Sequence, residues 1–388
     1  MNKIPISKPY LGPEEMEAVQ KPLETGWVVQ GPYVKKFEDA FSEYTKSQFS
    51  AASTSCTTAL HLSVAALDLK PGQEVIVPAF TWVSTANVVE YMGAKPVFCD
   101  VDLQTFNIDP KKAAELVNEK TVGMIPVHLF GLCVDMEPLL KLCREHKLWM
   151  VEDAACAAGA WYNGKHAGTF GEFGCFSFHP RKAITTGEGG MIICKDKKDY
   201  EILKSLRSHG WSREKKTAIK YPNLDPRYIF INSGFNLRPT DIQAAIGLSQ
   251  FKKLKKFMKI RINNRNKIIK TLKMHKNWSD QFSFVEVPKK ISPSYMVFPI
   301  FLNKKFRKKK TDFINFVESK GLETRPIISG SFVKQPSTKL FKLNQKNKKF
   351  PGANLVHELG FVIGLHTKNI SSSKLKFLSE TLLSIDRL

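Results

Sequence analysis

The first half of the chain alternates short apolar segments with segments in which apolar residues recur every three or four positions. The short apolar runs predict buried strands, and the recurring spacing predicts amphipathic helices. Buried strands that alternate with helices are typical of a mostly parallel sheet covered by helices. The predicted strands are Glu74 to Val77, Lys95 to Val101, Val122 to Val127, Leu148 to Val151, Gly174 to Phe178 and Met191 to Cys194.

The second half begins with a long helical pattern after Pro239, whose ring favours the start of a helix. The apolar positions of this helix are Ile242, Ala245, Leu248, Phe251, Leu254 and Met258. The segments beyond it are predicted as one strand and two helices: Met296 to Leu302, Thr311 to Lys320, and Ser373 to Arg387. We therefore expect an α/β fold with a large, mostly parallel sheet domain over residues 1–250, including an N-terminal arm, and a smaller C-terminal α/β domain over residues 251–388 that is entered through the long helix.

The composition is that of a globular protein, with 388 residues of which 43% are hydrophobic and 24% are charged. No apolar run approaches the roughly 20 residues needed to span a bilayer, and the N-terminal sequence lacks the apolar core of a signal peptide. The seven cysteines are scattered without metal-ligand spacing, which indicates reduced thiols and no metal site. We expect a cytoplasmic protein that does not insert into membranes.

The net charge of +23 is also typical of nucleic-acid-binding proteins. Much of the excess lies in three lysine-rich segments, at residues 251–259, 303–310 and 344–349. We interpret them as one solvated helix face and two surface segments. Because no DNA- or RNA-binding motif accompanies them, we expect no nucleic-acid partner, although the lysines could attract anionic nucleotides.

One lysine, Lys182, lies in a turn between a predicted apolar strand and a glycine-rich segment. Pro180 ends the strand by removing a donor from the ladder, and the following glycines let the backbone pass close to a bound group. Ser177 could hold a phosphate beside an amine that reacts with an aldehyde. This pair suits pyridoxal 5'-phosphate, although a lysine on a loop is more often a solvated charge.

Asp153 follows the predicted strand Leu148 to Val151, and sites in α/β proteins form where strands end. A carboxylate beside the ring nitrogen of pyridoxal phosphate keeps that nitrogen protonated, and Asp153 is the candidate for this role. A helix N-cap is an equally good interpretation, because Asp153 precedes two alanines.

Two further elements could surround a cofactor. Cys56 and Thr57 lie where small hydroxyl residues lead into a helical pattern, so their backbone N–H groups could face a phosphate. Trp82 follows a predicted strand, where its indole could stack on a ring. Taken alone, the first feature is also typical of helix capping and the second of core packing.

Together these residues resemble the DegT/DnrJ/EryC1/StrS family of sugar-nucleotide aminotransferases, which are fold-type I pyridoxal-phosphate enzymes. The similarity covers most of the chain. The motifs that carry it are Thr25-Gly-Trp27 with Gly31-Pro32, Ser55-Cys-Thr57, Pro126-Val-His-Leu-Phe-Gly131, Glu152-Asp153, Ser177 to Gly190, Arg207-Ser-His-Gly-Trp211, and Gly234-Phe-Asn-Leu-Arg-Pro-Thr-Asp-Ile-Gln-Ala-Ala-Ile-Gly247.

The resemblance implies that Lys182 forms a Schiff base with pyridoxal phosphate and afterwards acts as general base and acid. It also implies that Asp153 pairs with the ring nitrogen. By the same resemblance, the phosphate is held by Ser177 and by the backbone at Cys56 and Thr57.

Two more residues take their roles from the resemblance: Trp82 covers the cofactor ring, and Asn236 reaches the phosphate from the neighbouring subunit. The second role implies a homodimer with shared active sites. Two cysteines depart from the family's pattern, because Cys56 replaces a usual glycine and Cys156 replaces a glutamine that many relatives place near the ring oxygen. A small buried hydrophobe is the alternative role for Cys156, since sulfur bonds weakly.

The resemblance further implies substrate contacts for His128, Glu188, Arg238 and Arg325, although Arg325 could equally form a surface ion pair. The implied reaction moves an amino group from L-glutamate to a nucleoside-diphosphate 4-keto-6-deoxy sugar, in the biosynthesis of cell-surface polysaccharides. The segment from residue 184 to residue 190 is more similar to family members that aminate carbon 4 than to those that aminate carbon 3.

Alternatives to this function come from two classes. Segments at residues 325–332 and 357–366 are similar to sugar-nucleotide 3-dehydratases that use the same cofactor, but those enzymes carry histidine at the position of Lys182. Amination at carbon 3 is the other enzymatic alternative. A ligand-binding regulator with this fold would need a DNA-reading module, and the chain has no helix-turn-helix segment ahead of Ser55.

Overall fold

The computed structural model describes residues 3–212, 214–341 and 349–388, so most of the predicted basic segment at 344–349 lies outside the described residues. The helices are α1 Pro13–Thr25, α2 Pro32–Thr45, α3 Cys56–Ala66, α4 Ser84–Tyr91, α5 Pro110–Ala114, α6 Met136–His146, α7 Lys197–Arg207, α8 Lys215–Lys220, α9 Asp241–Lys273, α10 Lys310–Ser319, α11 Pro351–Leu359 and α12 Ser372–Leu382. The strands are β1 Phe49–Ser53, β2 Glu74–Pro78, β3 Lys95–Cys99, β4 Thr121–Met124, β5 Trp149–Asp153, β6 Trp161–Tyr162, β7 Lys165–His166, β8 Phe173–Ser177, β9 Gly190–Cys194, β10 Trp211–Ser212, β11 Ile229–Phe230, β12 Phe282–Ser283, β13 Ile291–Ser292, β14 Val297–Leu302, β15 Thr324–Arg325 and β16 Gly360–Gly364.

Seven of these strands form the central sheet, in the order β1-β9-β8-β5-β4-β2-β3. The pairs from β8 to β3 are parallel, whereas β9 is antiparallel to both of its neighbours. Every residue of β2, β8 and β9 is buried, as expected of strands covered on both faces. The prediction of an α/β fold with a large, mostly parallel sheet is confirmed.

The predicted strand Val122 to Val127 is shorter in the structure, because β4 stops at Met124. Pro126 has no N–H group with which to continue the ladder. Val127 then pairs with Asp153 as an isolated bridge. The early end of β4 brings the residues after it against the end of β5, which is the edge of the sheet where the candidate site lies.

The long helix predicted after Pro239 is observed as α9, which has 33 residues and begins at Asp241. It begins after Thr240 because the Thr240 hydroxyl accepts the N–H of Gln243 at 3.2 Å, and the Gln243 side chain accepts the N–H of Thr240 at 2.9 Å. The helix packs against α1, α2 and α12. It is continuous through residues 250 and 251, where the domain boundary was expected.

A second sheet, in the order β12-β14-β16-β15, is antiparallel and lies toward the C-terminus; we call it the C-terminal sheet. The N-terminal arm joins it, because Ile4 forms a parallel bridge with Leu322 just before β15. The N–H of Ile6 also donates to the Glu323 carboxylate at 2.9 Å. Residues from both ends of the chain therefore pack together beside α9.

Candidate active site

The candidate site lies at the carboxyl edge of the central sheet, where three strands end side by side. Asp153 is the last residue of β5, Ser177 is the last residue of β8, and Ser53 is the last residue of β1. Gly190, the first residue of β9, pairs with both Ser53 and Ser177. The loop that carries Lys182 connects β8 to β9, so it leaves and re-enters the sheet at this edge. The fold therefore brings together residues that the sequence offered as separate motifs.

Lys182 is held at three of its atoms. Its backbone N–H donates to His179 O at 2.9 Å, and its backbone O accepts from Arg261 Nη2 at 3.3 Å. Its side-chain Nζ lies 3.2 Å from Cys156 Sγ. Burial lowers the pKa of the Lys182 amine, but Cys156 and other acidic neighbours raise this pKa by more, so the net shift is upward. The chain alone therefore holds this amine as a partly buried cation.

Asp153 is 3% exposed, and both of its carboxylate oxygens have partners. The Thr85 hydroxyl donates to Oδ2 at 2.8 Å, and the N–H of Ala155 donates to Oδ1 at 3.2 Å. Burial raises the pKa of Asp153 despite these hydrogen bonds and the nearby Lys182. Such a carboxylate favours a cationic partner placed against it. No described helix begins directly after Asp153, because the next described element is the strand β6, so the alternative interpretation as a helix N-cap is wrong.

Glu152, the neighbour of Asp153 on β5, is fully buried and organises the backbone behind the site. Burial raises the pKa of Glu152, but His128 and several backbone N–H groups lower it by more, so the carboxylate stays ionised. Its hydrogen-bond donors are the N–H groups of Gly168 at 2.7 Å, Phe170 at 2.6 Å and Gly171 at 2.8 Å, and Nε2 of His128 at 3.0 Å.

His128 is also fully buried, and both of its ring nitrogens are engaged. The N–H of Val134 donates to Nδ1 at 3.1 Å, which leaves the ring proton on Nε2, facing Glu152. The backbone N–H of His128 donates to Asp153 O at 3.0 Å. The expected substrate contact for His128 has no support in this geometry, which instead ties the residues after β4 to the end of β5.

A candidate site for a phosphate lies where α3 begins, shortly after the carboxyl end of β1. The Ser55 hydroxyl caps the helix by accepting the N–H of Thr58 at 3.1 Å. The N–H groups of Cys56 and Thr57, in the first turn, are thereby left for an anion. Gly190 packs against this turn, and a Cβ at Gly190 would lie 2.2 Å from Ser55 O, so the close approach requires glycine. Two separate motifs, Ser55-Cys-Thr57 and the segment Ser177 to Gly190, thus meet at one helix start.

The two cysteines that depart from the family's pattern both lie beside Lys182. The Cys56 thiol is buried, and its pKa is raised first by burial and then by Asp153, so it stays protonated. Cys156 is 5% exposed and contacts the Lys182 amine through its sulfur. Its contact with a cofactor ring oxygen stays a prediction. Trp82 lies after β2 with its side chain 57% exposed, which leaves one face available for a ligand.

Other predicted site residues lie elsewhere. Asn236 and Arg238 line a separate cleft of about 1490 Å³, whose described lining residues do not include Lys182. Arg238 Nη2 donates to Asn236 Oδ1 at 3.2 Å. Glu188 is exposed on the loop between Lys182 and β9. Arg325 forms an ion pair with Glu323 at the surface, which is the alternative that the sequence left open for it.

Three residues at the site were missed from the sequence. Thr85 contacts Asp153 from α4, and Arg261 contacts the backbone of Lys182 from α9. Neither lies in a pattern that would have indicated these contacts. Glu152 was part of a recognised motif, but its role depends on backbone N–H groups from a distant loop. Contacts to backbone atoms leave no signal in the side-chain pattern.

Pyridoxal phosphate fits this arrangement. A partly buried amine lies at Lys182, the buried carboxylate of Asp153 favours a cationic ring nitrogen, and the start of α3 offers free N–H groups beside Ser177. Fold and site define a pyridoxal-phosphate-dependent enzyme of fold-type I. The chain belongs to the DegT/DnrJ/EryC1/StrS aminotransferase family, whose sequence profile matches residues 9–374.

Individual relatives agree with this assignment. The chain is 41% identical over 255 residues to GDP-perosamine synthase of Caulobacter vibrioides, covering 65% of each protein. It is 32% identical over 329 residues to GDP-perosamine synthase of Escherichia coli O157:H7, covering 84% of this chain and 85% of that protein. Its structure is similar to E. coli GDP-4-keto-6-deoxy-D-mannose-3-dehydratase with bound hydrated pyridoxal phosphate, with a TM-score of 0.90, 28% identity, and coverage of 98% of this chain and 100% of that one.

The predictions of the family, the fold class and the cofactor are confirmed, and the protein is a pyridoxal-phosphate-dependent sugar aminotransferase. Within the ranges that the structure describes, none of the helices is both long enough and apolar enough to cross a bilayer.

Proposed function

We propose that this enzyme transfers an amino group from L-glutamate to carbon 4 of a nucleoside-diphosphate 4-keto-6-deoxy sugar, in the biosynthesis of cell-surface polysaccharides. The observation that carries the proposal is the partly buried Lys182 amine, which lies at the carboxyl edge of the sheet next to Cys156 and whose pKa is raised in part by Asp153. Similarity to two GDP-perosamine synthases supports a nucleotide-linked sugar as the acceptor. A guanosine diphosphate sugar is therefore the first substrate to test.

Each site residue has a distinct part in this proposal. Pyridoxal phosphate, when bound, supplies an electron-withdrawing ring that stabilises negative charge on a substrate carbon. Lys182 would hold the cofactor covalently. Once its amine is free, it would move a proton between a carbon of the substrate and a carbon of the cofactor. Asp153 keeps the ring nitrogen protonated, because its buried carboxylate is stabilised by that positive charge. Ser177 and the N–H groups of Cys56 and Thr57 hold the phosphate.

Trp82 covers the open face of the ring and keeps water from it. Cys156 would lie beside the bound cofactor, because its sulfur contacts the Lys182 amine that would carry the cofactor. Glu188 and Arg238 contact the substrate. For Arg325 the ion pair with Glu323 makes a substrate contact the weaker interpretation.

The active enzyme is a homodimer in which each subunit completes the site of the other. Asn236 lines a cleft whose described lining residues do not include Lys182, which agrees with a contact to the cofactor phosphate of a second copy. Beside this cleft runs a segment of exposed apolar side chains, which we call the apolar segment. Its members are Ile219, Tyr221, Leu224, Tyr228, Phe230 and Ile231. Exposed apolar residues at this density are typical of a protein–protein interface.

The 3-dehydratase reaction is the second candidate, because the fold is similar to that of a dehydratase over nearly the whole chain. It predicts a different product from the same substrate. The transferase needs a lysine amine at residue 182 to carry the cofactor between half-reactions, and this chain has one. The resemblance places histidine there in the dehydratases, so Lys182 favours amino transfer.

The test is to incubate the purified enzyme with pyridoxal phosphate, ¹⁵N-labelled L-glutamate and a panel of nucleotide ketosugars that includes GDP-4-keto-6-deoxymannose. We expect a sugar product that contains the labelled nitrogen, with proton NMR placing the amine on carbon 4. An amine on carbon 3 would overturn the regiochemistry. Loss of the carbon 3 hydroxyl without gain of nitrogen would establish the dehydratase reaction instead. Glutamine or alanine in place of glutamate serves as the control for the donor.

A further inference from the structure

The side chain of Arg261 is buried in the middle of α9, and its partners are backbone carbonyls. It is 7% exposed. Nη1 donates to Ala183 O at 3.0 Å, Nη2 donates to Lys182 O at 3.3 Å, and Nε donates to Leu365 O at 3.3 Å. In the part of the chain that the structure describes, no carboxylate forms an ion pair with it. Burial alone lowers the pKa of Arg261 to about 10.

Burying a guanidinium without a counter-ion is unfavourable. The segments that the Arg261 hydrogen bonds hold together therefore indicate what this residue does. Two of the carbonyls belong to the loop of Lys182, and the third follows β16 in the C-terminal sheet. The guanidinium is planar and presents its donors in a fixed fork, so one side chain can bridge both segments. A lysine ammonium at the same position lacks this geometry.

We propose that Arg261 is a positioning residue, which fixes the peptide of Lys182 and Ala183 so that the Lys182 amine reaches the cofactor. This inference rests on the role proposed for Lys182. The N–H of Lys182 is already held by His179 O at 2.9 Å, and Arg261 holds the carbonyl on the other side of the same residue. With both ends of the residue fixed, the side chain starts from one backbone orientation. Small misplacements of a reacting group cost rate steeply.

Asn264, a neighbouring residue on α9, attaches the C-terminal sheet to this helix independently of Arg261. The proposed positioning role can therefore be distinguished from a role in holding that sheet in place. Asn264 Nδ2 donates to His366 O at 3.2 Å and to Lys368 O at 2.8 Å, and Asn264 Oδ1 accepts the N–H of Ile370 at 3.0 Å. These bonds attach the segment after β16 to α9 without Arg261. Removal of Arg261 should therefore release the Lys182 loop while the C-terminal sheet stays attached.

Arg265, one turn further along α9, provides a matched control. It is 9% exposed, and its Nη2 donates to Val285 O at 2.7 Å. Its guanidinium lies 4.9 Å from the Tyr295 ring centroid. Burial lowers the pKa of Arg265, as it does for Arg261. Both arginines lie on α9, both are buried, and both donate to backbone carbonyls. The contacts found for Arg265 do not include the Lys182 loop.

The experiment compares Arg261→Gln, Arg261→Lys and Arg265→Gln with the wild type. Cofactor-free enzyme is mixed with pyridoxal phosphate, and covalent attachment is followed by near-visible absorbance and by borohydride trapping with peptide mass analysis. We expect Arg261→Gln to slow attachment at Lys182 by about tenfold or more and Arg261→Lys to slow it by less. Arg265→Gln should attach the cofactor at the wild-type rate, even where its thermal midpoint falls.

Attachment at the wild-type rate in Arg261→Lys and Arg261→Gln would overturn the positioning role. Equal slowing in Arg261→Gln and Arg265→Gln would overturn it as well, because the effect would then follow from lost stability. If Arg261→Gln does not fold, the comparison of Arg261→Lys with Arg265→Gln decides the question. Lys182→Ala tests the underlying assignment separately, since a trapped cofactor in that variant would show that another residue carries it.

Discussion

The Nζ of Lys182 lies 3.2 Å from the Sγ of Cys156, and among the groups that raise the pKa of this lysine the sulfur has the largest effect. The free amine must be neutral to attack an aldehyde, so a neighbour that raises the pKa of Lys182 also raises the pH at which the cofactor can attach. The contact with Cys156 therefore gives a testable means of tuning Lys182.

Cys156→Ala should lower the pKa of the Lys182 amine, because it removes the largest group that raises it. The neutral fraction of the amine at a given pH then increases, so the attachment of pyridoxal phosphate should become faster at about pH 7, and its pH midpoint should move down. Stopped-flow absorbance across a pH series measures both. Cys133→Ala is the control, because Cys133 is fully buried and its described contacts do not involve Lys182. An unchanged midpoint in Cys156→Ala would refute the tuning role.

Asp153→Asn should lower turnover by about a hundredfold or more, because the variant removes the charge that stabilises the protonated ring nitrogen. The same variant should stabilise the cofactor-free protein against unfolding at neutral and alkaline pH. Burial raises the pKa of Asp153, so this group favours the native state at low pH and opposes it once the pH exceeds its native pKa. We expect the thermal midpoint of the cofactor-free variant to exceed that of the wild type at about pH 8, with the difference vanishing in acid. Full turnover in Asp153→Asn would disprove the counter-ion role.

Glu152→Gln should destabilise the fold at neutral pH by roughly 3 kcal/mol, because the fully buried carboxylate accepts three backbone N–H groups and a histidine. The pKa of Glu152 is lower in the native state than in the unfolded chain, so its contribution is present above the unfolded pKa and is lost as the pH falls through the native pKa. Urea denaturation of both proteins, from neutral pH down to about pH 3, should show the difference shrinking below about pH 4. Glu172→Gln is the control, since Glu172 is exposed and accepts one backbone N–H from Met150.

Ile219→Glu should convert the proposed dimer into a monomer, because it places a charge within the proposed apolar interface. Ile219 is 78% exposed in the single chain, so the substitution removes no packing within the subunit. Light scattering coupled to size-exclusion chromatography gives the mass. Leu340→Glu is a matched control, because Leu340 is also 78% exposed but lies outside the apolar segment. If both variants keep the mass of the wild type, the apolar segment is not the interface.

Mixed dimers of Lys182→Ala and Asn236→Ala chains should regain activity, because one of the two sites in each mixed dimer receives both native residues. Random mixing at equal amounts predicts about a quarter of the wild-type rate. Lys182→Ala mixed with Asp153→Asn is the negative control, since both changes fall on residues of the same subunit's site. Verified mixed dimers without activity would argue against a contribution of Asn236 to the partner's site.

The sequence predicted six of the seven strands of the central sheet and missed β1. Strands such as β2, β8 and β9 could be predicted because they are buried on both faces, so each is a short apolar run that stands out from the helices. Lys182, Asp153 and Ser177 could be selected because they follow such runs. The partners of these residues could not be selected in this way. Arg261 and Lys182 are separated by 79 positions, and Thr85 and Asp153 by 68.

For His128 the sequence identified the residue through a motif but could not predict its contacts. Its ring was expected to face substrate, and only the folded chain shows Val134 and Glu152 on its two nitrogens. The start of α9 was predicted at Pro239, whose fixed φ favours a helix start, yet Thr240 caps the helix and moves the first helical residue to Asp241. Local hydrogen bonds settle such boundaries.

The unbroken course of α9 from Asp241 to Lys273 makes its length, as well as its sequence, a constraint on function. The carboxylate of Asp241 accepts the N–H groups of Gly31 and Val34 at 2.9 Å each, which fixes the rotation of the helix at its first turn. An insertion of one residue before Arg261 would rotate everything beyond it by about 100° and advance it by about 1.5 Å. Arg261 would then turn away from the carbonyl of Lys182. Replacing an exposed lysine of this helix therefore leaves Arg261 in place, whereas an insertion or deletion between residues 241 and 261 moves it.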